Sequence, residues 1–238
     1  MRTGKRPLRL PHWRWWLGGA IALVLCVTVI GPFLFLHVIE GPAPRPLSLS
    51  TPKGSPTLPS GSTVPIAGGL YQIATHSEVE YRVAEILFGQ SATAVGKTNT
   101  ISGSLTLDDA TVTAAKFTVP LATVKSNESL RDIQFRGRIM DVAQYPDAVF
   151  TLTAPIPLGT LPAVGSVINA TATGNLSMHG VSRSVTFVIH AEYTGTEIEV
   201  SASIPITFAN WDIQNPSGGP AQVGNSGAMD LRLYLSHS

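Results

Sequence analysis

Hydrophobic and polar residues alternate along most of the chain after residue 68, in short runs separated by glycine, proline or asparagine. In residues 78–83, charged residues alternate with Val79, Tyr81 and Val83, which predicts a strand with one wet and one dry face. The same period of two recurs in other runs: Phe150 with Leu152; Val185 with Phe187 and Ile189; Leu231 with Leu233 and Leu235. The pattern therefore predicts a mainly β domain.

One of the predicted strands changes phase part of the way along. Val112 and Ala114 share one face, whereas Phe117, Val119 and Leu121 follow the other phase, which predicts a β-bulge near residues 115–116. About seven to nine strands of this kind favour an antiparallel sheet, and closing the sheet hides its edges. We therefore predict an eight-stranded barrel, whose interior is either filled by side chains or holds one ligand.

Residues 127–139 carry the one convincing helical pattern of the domain. Asn127 is suited to cap a helix, Glu128 is favourable in its first turn, and Leu130 and Ile133 fall on one face. This predicts a short helix.

The N-terminal part of the chain has a different pattern. Residues 15–38 begin with an uncharged apolar run of about 22 residues, long enough at roughly 33 Å to cross a bilayer, and they are predicted to form one transmembrane helix. Residues 1–14 contain five basic and no acidic residues, which predicts a cytoplasmic tail. The C-terminal domain would then be extracytoplasmic, at the cell membrane. The alternative is a cleaved signal peptide and a secreted domain.

Residues 39–67 are rich in proline and serine and are predicted to be a linker that holds the domain 68–238 away from the membrane. The domain contains nine basic and fourteen acidic residues, a net charge of −5, although the whole chain carries +1. This balance argues against nucleic acid as a partner. The single cysteine, Cys26, lies in the predicted span, so a disulfide framework is excluded.

Catalysis and metal binding find little support in the sequence. His76, Ser77, Asp132 and His179 are hydrolytic residue types, but no Gly-x-Ser-x-Gly motif accompanies them. The histidines also lack the close spacing of metal ligands. We therefore predict no enzyme activity, no catalytic residue, no metal site and no cofactor.

Three segments resemble signatures of the YceI-like family of lipocalin-like barrels. They are NESLRDIQFRGRIMDVAQYPDAVF at 127–150, GNLSMHGVSRSV at 174–185, and a weaker match at 71–81. The resemblance implies a polyisoprenoid-binding barrel, with the short helix as a lid across a mouth of the barrel and with Arg131 and Asp132 holding that lid or its loop. It also implies that the domain 68–238 is a YceI-like barrel.

The predicted function is binding, storage or transfer of an isoprenoid lipid, such as a quinone or polyprenyl carrier, at the outer face of the membrane. The alternative is an envelope interaction or stress-response protein whose barrel is filled by its own side chains. The predicted partners are the isoprenoid lipid and the membrane, and the sequence does not specify an oligomeric state. The predicted ligand-binding residues, with Phe135 and Trp211 near a mouth, are Val79, Tyr81, Val83, Phe117, Val119, Phe135, Phe150, Leu152, Phe187, Ile189 and Trp211.

Overall fold

The computed structural model describes residues 23–24, 43–50, 66–219 and 221–238. The chain divides into two compact units, residues 1–42 and 43–238. The predicted membrane span lies outside the described residues, apart from Leu23 and Val24, which are helical. Within the described part of the chain, no helix combines the length and hydropathy that a membrane crossing requires.

The described residues of the second unit contain twelve strands. In chain order they are β1 (Gly69–Ile73), β2 (Glu78–Leu87), β3 (Gln90–Thr98), β4 (Ser102–Asp108), β5 (Thr111–Pro120), β6 (Lys125–Ser126), β7 (Asp147–Leu152), β8 (Ile156–Pro157), β9 (Val167–Met178), β10 (Val181–Tyr193), β11 (Glu197–Thr207) and β12 (Ala221–His237). A short helix, α1 (Ser129–Gln134), lies between β6 and β7. Single turns of 3₁₀-helix cover Leu121–Thr123 and Phe208–Trp211.

Eight of these strands form a closed antiparallel ring in the order β1, β4, β5, β7, β9, β10, β11 and β12, and β1 pairs back with β12. The predicted eight-stranded barrel is therefore confirmed. β12 pairs with β1 at residues 235–237 and with β2 over residues 221–232. Strands β2, β3 and β6 thereby extend the sheet beyond the ring, and β8 pairs with β5.

The alternating residues of each strand decide which face points inward. On β10, Phe187, Ala191 and Tyr193 are buried, whereas Val188 is half exposed. On β12, Leu233 and Leu235 are buried in the same core. Because successive side chains of a strand point to opposite faces, the apolar set fills one side of the sheet, and ring closure makes that side the barrel interior.

The predicted bulge in β5 exists, but two to three residues earlier than expected. Thr106 pairs with Ala114 and Leu107 with Val112, so Thr113 is the extra residue. Since the extra residue reverses the phase of the strand, Ala115 rather than Ala114 faces inward with Val112. Ala114 is exposed, which corrects its predicted place beside Val112.

The predicted helix is shorter than the interval 127–139. α1 is followed by one wide turn of π-helix over Phe135–Ile139. The N-cap of α1 is Glu128, whose side chain makes no capping hydrogen bond. The Asn127 side chain instead accepts a hydrogen bond from the Arg131 guanidinium at 2.7 Å. Leu130 and Ile133 share a face as predicted, but that face points to solvent, because they are 69% and 60% exposed.

Two charged residues attach α1 to the sheet, as the family resemblance implied. The backbone N–H and the hydroxyl of Ser126 both donate to Asp132 Oδ1, at 2.8 and 2.7 Å. Arg131 forms an ion pair with Glu85 of β2 at 3.2 Å. Glu85 and Arg131 are both largely shielded from solvent, so this pair holds the helix against the end of β2.

The outer face of β2, β12 and β11 carries buried carboxylates. Glu80, Glu199 and Asp230 are each at most 3% exposed. Burial raises the pKa of Glu80, although its hydrogen bond to Arg82 opposes the shift. Ser50, which the sequence assigns to the linker, donates its N–H to Glu199 at 2.7 Å. At least this part of the predicted linker therefore contacts the barrel wall.

Candidate functional site

The two ends of the barrel are built from different elements. The first, called here the helix end, contains α1 and the β9–β10 turn. The second, called the loop end, contains the β4–β5 turn, the β10–β11 turn and the connection 158–166. That connection bridges the two turns, because Leu158 N–H donates to the Ala110 carbonyl and Gly165 N–H to the Tyr193 carbonyl, both at 2.8 Å.

A cavity of about 130 Å³ occupies the barrel interior. Its lining is almost entirely apolar and comes from every strand of the closed ring except β1. Phe150 and Phe187 meet edge to face in the lining, with ring centroids 5.5 Å apart. The lumen is therefore not completely filled by the side chains of the barrel, although the volume is below the roughly 300–1,000 Å³ of pockets for drug-sized ligands.

Seven of the eleven predicted ligand-binding residues line this cavity. They come from β2, β5, β7 and β10, and they are Val79, Phe117, Val119, Phe150, Leu152, Phe187 and Ile189. The alternation of apolar and polar residues identified them because each lies on the apolar face of its strand. The structure thus brings together in one lumen residues that are far apart in the sequence.

The other four predicted residues are not part of the lining. Trp211 is 2% exposed and is held by a hydrogen bond from its indole N–H to the Leu176 carbonyl at 3.3 Å. It packs in the core together with Phe208, Met140 and Met178, none of which borders the cavity. Trp211 therefore fills the helix end of the barrel. This corrects the prediction from the sequence, which placed Trp211 near a mouth.

Tyr81, Val83 and Phe135 also pack toward the helix end. The rings of Tyr81 and Phe135 are stacked, with centroids 5.1 Å apart and an angle of 13°. Burial raises the pKa of Tyr81 to about 12, although the charge of Arg131 opposes the shift. Val83 packs against the same core. The helix therefore covers a filled end of the barrel, which corrects its predicted place across a mouth.

The cavity instead extends to the loop end. Leu107 and Val112 flank the β4–β5 turn, and Leu158 and Pro162 belong to the bridging connection; all four line the cavity. Ile66, which the sequence assigned to the linker, also lines it and is 5% exposed. The core thus begins before the predicted domain boundary at residue 68, and the chain enters the barrel at the loop end.

Most of the remaining lining residues were not singled out from the sequence. Apart from Tyr193 they are small or aliphatic, and they include Ile101, Leu105, Ala148, Ile156, Ala172, Leu176, Tyr193, Ile198, Val200, Ile204 and Met229. A signal existed for those on β11, since Ile198 and Val200 alternate with polar residues. The sequence contains no comparable signal for the irregular connection 158–166.

Both ends carry charged side chains, but lysine and arginine occur at the helix end and not in the segments that form the loop end. At the helix end, Lys125, Arg131, Arg136 and Arg138 lie within fourteen residues of chain. At the loop end, Asp108 and Asp109 are exposed at the β4–β5 turn, and Glu192 and Glu197 flank the β10–β11 turn. Glu192 is the only charged residue in the cavity lining among the residues that the structure describes.

The residues considered for catalysis do not converge. Ser77 donates to and accepts from the backbone of Tyr234, and His76 pairs with Glu197 at 3.1 Å. Asp132 is bound to Ser126, and one ring nitrogen of His179 lies 2.9 Å from the Trp211 carbonyl oxygen. Over residues 43–50, 66–219 and 221–238, no group of three or more metal-ligating side chains is found.

The chain is similar in sequence to a known domain family and to several bacterial proteins. A family model described as YceI-like domain matches residues 71–235. A UPF0312 protein of Pseudomonas putida strain GB-1 is 28% identical over 137 residues, covering 56% of this chain and 66% of the relative. A UPF0312 protein of Shewanella sp. strain ANA-3 is 28% identical over 125 residues, covering 51% and 60%. The matched regions thus span about three fifths to two thirds of these relatives.

Two solved structures share the fold. A structure described as a polyisoprenoid binding domain from Saccharophagus degradans, implicated in plant cell wall breakdown, superposes with a TM-score of 0.56 at 15% identity, covering 72% of this chain and 100% of that chain. BcnA of Burkholderia cenocepacia superposes with a TM-score of 0.53 at 19% identity, covering 68% and 98%. Both comparisons concern the barrel architecture.

Proposed function

This chain belongs to the YceI-like domain family, and from that premise we propose that its barrel binds an isoprenoid lipid in the lumen, for storage or transfer. The observation that carries the proposal is the apolar cavity of about 130 Å³ inside a closed barrel. The name of the Saccharophagus degradans structure, a polyisoprenoid binding domain, supports an isoprenoid as the lipid class. No cofactor beyond the lipid is part of the proposal.

The energetics of such a site need no catalytic group. Burial of apolar surface contributes about 25 cal/mol for each Å² removed from water, so a prenyl chain gains affinity from each unit that enters the lumen. The present cavity is smaller than a long prenyl chain. Binding of such a chain therefore requires lumen side chains to move, or part of the ligand to project from the loop end.

We further propose that the barrel works at the outer face of the membrane, held by the predicted N-terminal anchor. The support is the uncharged run at 15–36 and the five basic residues before it. Ile66, in the predicted linker, lies at the loop end beside the cavity.

The test measures the lipid content of the full chain purified from a host that contains prenyl lipids, by native mass spectrometry and lipid extraction. We expect an isoprenoid at close to one per chain. A mass without lipid, and no uptake of added quinone or polyprenol, would favour the alternative of an envelope interaction or stress-response protein.

A pair of neighbouring substitutions on β9 makes the test specific to the lumen. Ala172 is buried in the lining, whereas Thr171 is exposed on the outer face. Ala172→Phe should fill the cavity and displace the lipid, and Thr171→Phe should retain it. Ala115→Phe, at a less tightly buried lining position, serves as a second filling variant, and far-ultraviolet circular dichroism verifies that all three are folded.

A further inference from the structure

Over the part of the chain that the structure describes, the cavity lining contains no cation that could receive a phosphate. Among the thirty residues that line the cavity, none is lysine, arginine or histidine. An anionic headgroup drawn into such a lumen would lose its water without gaining a partner, and an unpaired buried charge is strongly disfavoured. The interior therefore selects against a lipid whose charged end must enter with its chain.

Among the residues that the structure describes, the segments that form the loop end also contain no lysine or arginine that could meet a headgroup outside the lumen. None of the nine basic residues of the domain 68–238 lies in the β4–β5 turn, the connection 158–166 or the β10–β11 turn. The acidic residues of this end, called here the acidic rim, are Asp108, Asp109, Glu192 and Glu197. Among the described residues, only Glu197 has a basic side chain as its partner, namely His76. A phosphate that projects from this end therefore meets carboxylates on several sides.

We propose that this lumen holds isoprenoids whose polar end is uncharged, such as quinones and polyprenols, in preference to polyprenyl phosphates and diphosphates. The inference rests on the proposed lipid binding and names the headgroup class of that ligand. The preference has two sources: the apolar lining disfavours a buried phosphate, and the acidic rim disfavours an exposed one. The second source weakens as salt screens the rim.

The test uses two ligands with the same chain, geranylgeraniol and geranylgeranyl diphosphate. They are offered in equal amounts to the full chain in nanodiscs of synthetic phosphatidylcholine, and the bound species are counted by native mass spectrometry. At low salt we expect the alcohol to exceed the diphosphate by about tenfold, and the ratio to fall at high salt. Equal binding of both ligands, or preference for the diphosphate, would overturn the proposal.

Two matched charge reversals distinguish the effect of the acidic rim on diphosphate binding from the effect of the net charge of the protein. Asp108 is the last residue of β4 at the loop end, Asp147 is the first residue of β7 at the helix end, and both are exposed. Asp108→Lys should raise diphosphate binding several fold, whereas Asp147→Lys, with the same change of charge, should leave it unchanged. Equal effects of the two variants would count against the rim as a determinant.

The outcomes for the headgroup and for lipid binding itself are distinguishable. If neither ligand binds, while far-ultraviolet circular dichroism shows a folded β protein, the proposed function fails and this inference with it. If both ligands bind without discrimination, lipid binding stands and only the headgroup preference fails.

Discussion

The two ends of this barrel have the same strands between them but opposite properties. The helix end is packed with Trp211, Phe208 and Met140, and arginines lie on the segment that covers it. The loop end is bordered by an uncharged connection, contains part of the cavity lining and carries carboxylates at its turns. The helix, the element that resembles a lid, covers the filled end.

This difference separates stability from binding within one small domain. Buried aromatic packing and the Arg131–Glu85 ion pair at the helix end stabilise the fold. The residues that line the cavity toward the loop end are less tightly packed, because their atoms have no contacts on the cavity side. We therefore expect substitutions at the helix end to change stability most, and substitutions toward the loop end to change ligand retention most.

The largest expected effect is at the helix end. Trp211→Ala removes a side chain that is 2% exposed, and it should lower the free energy of unfolding by about 3–5 kcal/mol. Leu158→Ala, at a half-buried position beside the existing cavity, should cost only about 1 kcal/mol. Urea unfolding of the two variants measures both values. Similar losses would mean that the two ends contribute equally to stability.

The second prediction concerns the packing around the cavity itself. A Cβ at residue 174 would lie 2.5 Å from a ring atom of Phe150 and from the Thr151 carbonyl oxygen. Gly174→Ala should therefore push Phe150 toward the lumen, lower the free energy of unfolding by about 3 kcal/mol and reduce ligand content. Gly137→Ala is the control, because a Cβ there meets nothing within 4 Å. Retention of the lipid by Gly174→Ala would show that the ring can move elsewhere.

The sequence allows the barrel to be predicted better than its two ends. Period-two alternation depends only on which face of a strand is dry, so it identified Phe187, Ile189 and Phe150 as inward residues. The position of a cavity along the barrel axis depends on packing between distant segments, which alternation does not report. Trp211 and Phe135 were for that reason assigned to a mouth, although both pack at the filled end.

Local chemistry also misled the prediction for the helix. Asn127 and Glu128 have the residue types that begin a helix, but the Asn127 side chain binds Arg131 instead of a backbone N–H. The shared face of Leu130 and Ile133 suggested burial, and the structure exposes it. The family resemblance implied that Asp132 holds the helix or its loop, and the structure identifies its partner as Ser126, six positions earlier in the chain.

The third prediction concerns how the free energy of unfolding changes at alkaline pH. The pKa of Tyr81 at the helix end is raised from 10.0 to about 12, so its hydroxyl stays protonated in the folded state after it ionises in the unfolded state. The resulting stability is present below pH 10 and is lost between about pH 10 and 12, by about 2 kcal/mol in total. Urea unfolding at pH 9.5 and 11.5 measures the loss. Tyr81→Phe should show a smaller loss over this interval, because it lacks the titrating hydroxyl, and an equal loss would assign it to other groups.

The smallest expected effect tests whether the helix has any role as a lid. Leu130 and Ile133 are exposed, so replacing both with serine should change the free energy of unfolding by less than about 0.5 kcal/mol. Because the cavity lining includes no residue of α1, the same variant should release bound isoprenoid at the wild-type rate.

Leu161→Ser is the comparison at the loop end. Leu161 is 37% exposed and lies between the lining residues Leu158 and Pro162, so this substitution should speed release several fold. Transfer of a labelled prenol to acceptor vesicles measures the rates. Faster release from the helix variant than from the loop variant would make α1 the gate and reverse the roles assigned to the two ends.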